Sequence, residues 1–289
     1  MKPLVSICIP TYNGEKFIQE AMDSAIVQNY SNLEIIVSDD ASSDNSLTII
    51  ASFQKQTTIP IRIFHHTPQG IGANWNHCVQ QAKGEYIKFL FQDDTLEQDC
   101  INKMMNIALS NPSVGLVYCK RHFLVEKRNP EIDEFIDFYG SLHKYWDTVN
   151  ILQHNISGKA YLKDKQLLNS PKNKIGEPTA VLIKKECFDT VGCFNEELKQ
   201  TLDYEYWYRV MKYYDVTFLN EKLISFRLHS NQASQVNKTD NNNEIKKLYK
   251  EYYKHIFWQL HPKNKLKLLK LYHPFFKTLV LLKQKLYAD

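Results

Sequence analysis

Short apolar runs alternate with amphipathic stretches through the first hundred residues, and that order predicts parallel β-α-β units. Val5 to Pro10 reads as a buried strand, followed by a turn at Asn13-Gly14 and a helix from about Glu15 to Gln28. Leu33 to Ser38 is a second strand, after which Ser43 or Asp44 can cap a helix running to about Gln56. Ile61 to Phe64 is a third strand, Gly70 to Lys83 the next crossover and Tyr86 to Phe91 a fourth strand. The expected architecture is α/β: a Rossmann-like, mostly parallel sheet with helices on both faces.

Beyond residue 100 the pattern loosens. Lys120 to Lys174 is polar and aromatic with no period from which a topology can be read. Thr179 to Lys184 predicts a strand, Asp203 to Tyr214 a helix, and Val216 to Leu219 with Leu223 to Arg227 two short strands. Asn237 to Asn243 is polar enough for a linker, and the segment from Glu244 to the C-terminus is lysine-rich and helical in pattern.

Composition narrows the class. At 289 residues and 43% hydrophobic content the chain can bury one large core or two fused ones, so disorder is not the default. Six cysteines without a C-x-x-C pair, and no segment like a secretory signal, indicate neither a disulfide scaffold nor a zinc ribbon. A reducing, cytoplasmic setting is expected. No run reaches the roughly 18 apolar residues that cross a bilayer. From Glu244 to Asp289, eleven lysines against three acids give +8, so the total of +4 leaves −4 on residues 1–243. That acidic body argues against nucleic acid as a partner, because a broad basic face is the expected footprint.

In open parallel sheets the ligand crevice lies beyond the carboxyl ends of the strands. Here those ends deliver Pro10, Thr11 and Tyr12, then Asp39 and Asp40, then Gln92, Asp93 and Asp94. Paired carboxylates at a strand end suit Mg²⁺ or Mn²⁺, which complete their shell with phosphate oxygens and water; a solvated helix cap gives the same pattern. Asp39 to Asp44 equally suits turn capping. Asp203, Tyr206 and Trp207 share a helix face by their i, i+3, i+4 spacing, an arrangement that suits sugar binding if the face is open; Asp203 as a simple helix cap is the other reading. His229 comes after a strand-like run and is either a surface residue or a ligand.

Taken together, Val5-Ser6-Ile7-Cys8-Ile9-Pro10-Thr11-Tyr12-Asn13, Val37-Ser38-Asp39-Asp40-Ala41-Ser42-Ser43-Asp44, Ala82-Lys83-Gly84-Glu85-Tyr86-Ile87 and Gln92-Asp93-Asp94 resemble the family 2 glycosyltransferases, whose fold is called GT-A. Gly176-Glu177-Pro178-Thr179 and Val191 to Asn195 resemble the approach to that family's acceptor site, and Leu202 to Arg209 its base-bearing helix. The resemblance covers roughly residues 3 to 230. It implies a nucleotide-sugar-binding half at 1–96 and an acceptor-binding half at 97–236, to which charge and pattern add a basic helical extension at 237–289. It implies an inverting transfer from a nucleoside-diphosphate sugar, a UDP-sugar first, to an acceptor hydroxyl in polysaccharide, lipopolysaccharide or glycan synthesis. Pro10, Thr11, Tyr12, Asp39 and Asn76 would line the donor, Asp93 would approach the ribose, and Asp94 with His229 would hold Mn²⁺ or Mg²⁺. Asp203 would be the base. Two departures stand out: Leu202-Asp203 replaces the usual acid-Asp pair, leaving Glu205 as the second carboxylate, and Trp75-Asn76 stands where Arg-Asn is common.

A sugar-phosphate nucleotidyltransferase is the competing enzyme class, but the Gly-rich, Arg- and Lys-bearing loop it would carry after the first strand is missing from Pro10 to Glu15. In the tail, Phe275, Leu279, Leu282 and Leu286 would form an apolar stripe, Lys263, Lys267 and Lys270 a basic one, and Pro274 should part the two helices. That predicts a peripheral contact of residues 262–289 with an anionic membrane at its cytoplasmic face, where a lipid-linked saccharide acceptor would reside. The competing expectation is packing on protein.

Overall fold

The computed structural model describes residues 2–152, 156–229, 232 and 241–278. The four apolar runs form β1 (Val5–Thr11), β2 (Leu33–Asp39), β3 (Ile61–His65) and β4 (Tyr86–Phe89), with β1 between β2 and β4 and β3 outside β2, all parallel. Every residue of β1 and β2 is buried, because helices cover both faces of the sheet. Val5, Ile7 and Ile9 join the core under α1 (Ile18–Ile26) and α2 (Ser46–Phe53). Cys8 turns the other way, toward α3 (Ile71–Gln81).

The sheet continues to eight strands in the order β3-β2-β1-β4-β7-β6-β8-β5, with β5 (Thr95–Leu96), β6 (Val114–Val125), β7 (Val181–Lys184) and β8 (Asp215–Leu228). β7 runs antiparallel to both β4 and β6, while β6 and β8 are parallel. α4 (Cys100–Ser110) packs on β6. The stretch that gave no sequence period begins as the outer half of β6, continues through α5 (Pro130–Tyr139) and ends near α6 (Gly158–Leu162). The two short strands expected at 216–219 and 223–227 are one strand, β8. Its register against β6 slips between Cys119 and Arg121, so polar Asn220 and Glu221 are absorbed as a bulge and make no turn.

After α7 (Glu186–Val191), α8 (Leu202–Val210) stops four residues short of the expected end, where the chain is drawn into β8 by the hydrogen bond from Asp215 N to Ser113 O. The basic extension forms α9 (Asn241–His255) and α10 (Pro262–Tyr272). Leu248, Tyr252, Ile256 and Leu268 are buried in the same cluster as Tyr206, Trp207 and Tyr208 of α8, so this part of the extension packs on the α/β body. α10 ends at Tyr272, as the proline at 274 requires. Leu279, Leu282 and Leu286 of the expected stripe lie outside the described residues. Among the described residues no helix is long and apolar enough to cross a membrane. All six cysteines are free thiols.

Candidate active site

The carboxyl ends of β1, β2 and β4 meet at one edge, and their loops are stitched together by short polar side chains. Asp39 holds Ser42 through both oxygens, at 2.5 Å to Oγ and 3.0 Å to the backbone N–H. Asn13, at φ 45°, gives its N–H to Ser42 Oγ and takes the N–H of Ser43. Asp44 binds the N–H of Glu15 at 2.9 Å and Ser46 Oγ at 2.5 Å. Much of the Asp39 to Asp44 run therefore caps and cross-links loops. Gln92, from the far side of the edge, closes a two-bond clasp on the backbone of Tyr12, at 2.9 and 3.0 Å. Its amide lies 2.5 Å from where a Cβ on Gly14 would sit, so a larger residue there would displace the clasp. The clasp leaves the Tyr12 ring 57% exposed, while Pro10 and Thr11 are buried beneath it.

The Asp93-Asp94 turn divides its carboxylates between two environments. Asp94 is 1% exposed; its Oδ2 accepts from Thr179 Oγ1 at 2.7 Å and its Oδ1 from the N–H of Arg227 at 3.1 Å. Burial, with Asp93 and Glu177 adding to it, pushes the Asp94 carboxyl well above the ordinary range. Asp93 stays more open and pairs with His229 Nε2 at 3.0 Å. Arg227 braces both: its guanidinium donates to Asp93 O at 2.8 Å and to Glu20 at 2.6 Å, and lies 4.4 Å over the Phe17 ring. Among the described residues no group of three His, Cys, Asp or Glu side chains is arranged around a common metal position.

Asp203, in the first turn of α8, is half-buried, with Oδ2 taking a 2.8 Å hydrogen bond from Asn173 Nδ2 and a buried Oδ1 left without a partner. Burial pushes its pKa up to about 8, the N–H of Tyr204 opposing and Glu177 and Glu244 adding to the rise. Glu205 is engaged elsewhere: it is 1% exposed and grips Arg209 at 2.8 and 3.0 Å.

Three readings of the sequence need correction. Tyr206 and Trp207, expected to line a sugar surface beside Asp203, are both 0% exposed, since the shared helical face is the one that meets the core. Asn76, expected at the donor, is 3% exposed and clips α3 to the 194–196 segment, through Phe194 N and O and Glu196. Its amide nitrogen and carbonyl oxygen are both thereby used. Glu205, left by the sequence as the second acceptor carboxylate, is an ion-pair residue committed to Arg209 one turn along its own helix.

Sequence reasoning missed Arg227 and Arg121, because an arginine inside a strand pattern carries no local signal; their partners Glu20 and Glu177 are distant in sequence. It also missed Asp40-His66 at 2.5 Å, with the His77 ring 4.9 Å from His66 and bound to Ser38 at 2.7 Å. The pair His65-His66, at the carboxyl end of the third strand, was the available clue. An open depression of about 450 Å³ near Asn32, Glu34 and Arg62 lies at the opposite ends of the strands and contains none of these residues.

An α/β sheet of the GT-A kind, with a carboxylate turn after its fourth strand and a carboxylate opening a facing helix, is the fold of glycosyltransferases. The "Glycosyl transferase family 2" model matches residues 6–190. The chain belongs to glycosyl transferase family 2. Relatives include an uncharacterized glycosyltransferase of Rickettsia felis, 32% identical over 84% of this chain, and one of Haemophilus influenzae, 28% identical over 94% of this chain and 81% of its own length. The chain spans 36% of the R. felis relative. It spans 66% of an uncharacterized glycosyltransferase of Rickettsia typhi, 32% identical over 80% of this chain. Among solved structures, residues 1–349 of S. aureus TarS in complex with UDP-GlcNAc match with a TM-score of 0.67 at 19% identity, covering 93% of this chain and 70% of that one. The mannosyltransferase PcManGT of Pyrobaculum calidifontis, in complex with GDP-Man and Mn²⁺, matches at 0.59 and 18% identity over 100% of this chain and 81% of its own. Family membership supports glycosyl transfer over the nucleotidyl-transfer and nucleic-acid-binding alternatives.

Proposed function

We propose that the protein transfers a sugar, with inversion, from a UDP-sugar to an acceptor hydroxyl, with Asp203 as the base. One observation carries this: Asp203 is half-buried at the start of α8 with one oxygen anchored by Asn173 and the other unpartnered. In that state the carboxylate is oriented yet free to accept a hydroxyl proton. The attacking hydroxyl forms a bond to the anomeric carbon as the bond to the diphosphate breaks, and its proton passes to Asp203 Oδ1. The exposed Tyr12 ring would stack on the base, with Thr11 and the Asp39 loop beneath it.

Asp93 and His229 offer one carboxylate oxygen and one imidazole nitrogen at the open side of the turn, donors that fit Mn²⁺. An ion there would neutralise charge on the departing diphosphate. Asp94, with both oxygens engaged, would hold the Arg227 segment that carries His229 in place and would ligate only by exchanging Thr179 for the ion. UDP as the nucleotide is supported by the TarS complexes with UDP and UDP-GlcNAc, and a divalent ion by the PcManGT complex.

The extension supports a peripheral contact with an anionic, cytoplasmic-face membrane and so a lipid-linked saccharide acceptor. Trp258 is 81% exposed and Phe275 63%, on the same extension as the exposed Lys263, Lys267 and Lys270, the residue types that anchor at an interface. The test of the central reading is thermal shift with UDP-GlcNAc and GDP-mannose, with and without Mn²⁺, followed by UDP or GDP release in the parent and Asp203→Asn. Stabilisation by a nucleotide sugar, with release lost in the variant, is expected; full release in Asp203→Asn overturns the assignment.

A further inference from the structure

Gly176 to Thr179 bridges the two carboxylate sites. Asn173 takes the N–H groups of Ile175 and Gly176 on its Oδ1, at 3.0 and 2.9 Å, and gives its Nδ2 to both Gly176 O, at 3.1 Å, and Asp203. Gly176 O also accepts from Trp207 Nε1 at 3.0 Å, and the residue sits at φ +129°, a conformation that favours glycine. Three residues on, Thr179 binds Asp94. Glu177 is therefore carried on a segment pinned to the base at one end and to the Asp93-Asp94 turn at the other.

The Glu177 side chain is half-used. Its Oε2 pairs with Arg121 Nη1, and Arg121 is itself fixed by a 2.7 Å bond to Tyr139 O and by the rings of Phe123 and Phe226. Its Oε1 is buried and has no partner, the same state as Asp203 Oδ1. A buried carboxylate oxygen without a donor is costly, and two of them flanking one rigid segment ask for two donors from a ligand. Arg121 already balances the charge of Glu177, which favours neutral O–H donors over an ammonium group.

We propose that Glu177 and Asp203 form a subsite for two neighbouring hydroxyls of the acceptor, Asp203 taking the reacting hydroxyl and Glu177 Oε1 holding the one beside it. The acceptor is thus a vicinal diol, as in a sugar ring, and Glu177 is the second acceptor carboxylate that the sequence placed at Glu205. Burial raises Asp203 most, and the charge of Glu177 adds to it, so Glu177 contributes to the pH at which the base becomes available. Glu244, Tyr204 and Tyr208 are the other titratable groups around Asp203.

This rests on Asp203 as the base, and the experiment separates the two ideas. Nucleotide release from whichever of UDP-GlcNAc or GDP-mannose is hydrolysed is measured with Mn²⁺, against pH, with glycerol or propan-1-ol added as surrogate acceptor. Release that survives in Asp203→Asn defeats the underlying reading. With that release lost, Glu177→Gln is expected to move the acid limb of the rate to lower pH by about half a unit or more, and to erase the preference for glycerol over propan-1-ol. Glu177→Asp should recover part of that preference. A parent that treats the two alcohols alike, or a Glu177→Gln protein whose acid limb and glycerol preference both match the parent, overturns the proposal. So does a Glu177→Gln variant with the parent's pH limb and lower thermal stability, which marks Glu177 as only a partner for Arg121.

Discussion

The donor edge and the acceptor side of this site are built on opposite principles. At the donor edge Asp39, Asn13, Asp44 and Gln92 spend their hydrogen bonds on one another's loops, so the surface proposed to meet a nucleotide is preformed, with the Tyr12 ring open on it. At the proposed acceptor side Asp203 and Glu177 are half-buried, each with one buried oxygen unspent. The first arrangement gives affinity through rigidity. The second stores unmet hydrogen-bonding capacity that, on the proposed function, a substrate hydroxyl would satisfy as it reacts, which is where a catalyst gains rate.

The largest expected effect breaks the acceptor side. Asp203→Asn should lower turnover by roughly 10² or more with donor affinity near parental, checked by steady-state release and by titration with the nucleotide. The same variant should be more stable than the parent. Asp203 keeps its proton to about pH 8 in the folded state, against an ordinary value of 3.8, so the folded state loses stability as pH rises through that window, and the loss is complete above it. The gain in melting temperature for the variant should therefore be larger at pH 8.5 than at pH 5. A rate in the parent that climbs with pH toward about 8 is the kinetic face of the same shift.

Next is the turn between the two sides. Asp93→Asn should raise the Mn²⁺ concentration needed for half-maximal activity by about tenfold or more, since an amide binds a hard cation poorly. Asp94→Asn should also cut activity, and it should alter the protein's stability, because Asp94 ties Thr179 to Arg227. A manganese titration and a melting curve on both variants distinguish the two roles; activity indifferent to EDTA in the parent would count against any metal.

Glu205→Gln should cost about 3 kcal/mol by stranding the Arg209 charge, yet leave the pH profile in place, measured by denaturant unfolding. On the donor side Tyr12→Ala should weaken UDP binding while Asn76→Ala weakens the fold, a contrast that calorimetric titration and melting resolve. Smallest, and farthest from the chemistry, Trp258→Ala should reduce salt-sensitive co-sedimentation with anionic vesicles without changing release on a soluble acceptor.

The parallel half of the fold was legible because a strand covered on both faces reads as a mostly apolar run, and Val5–Thr11, Leu33–Asp39 and Tyr86–Phe89 are such runs, interrupted by a few buried polar residues, with helices between them. The carboxyl ends of those strands then marked the crevice by geometry alone. Four segments in order marked the family. The second half was opaque for a physical reason: β7 inserts antiparallel between β4 and β6 across long sequence separations, and a bulge hides one strand as two. Local pattern also cannot say which face of α8 is covered, so Tyr206 and Trp207 looked like a sugar platform and are core.

The sequence by itself determined the α/β order, the acidic body with its basic extension, and the presence of carboxylates at the strand ends and at the start of α8. Only the tertiary structure decided what each carboxylate does. Asp39 became a loop cap, Glu205 an ion pair, Asp94 an anchor, Asp93 the open partner of His229, and Asp203 and Glu177 the two with an oxygen to spare. A side chain's identity fixes its donors and acceptors, but which of them remain free depends on partners that lie tens to hundreds of residues away, as Arg227 lies from Glu20 and Arg121 from Glu177.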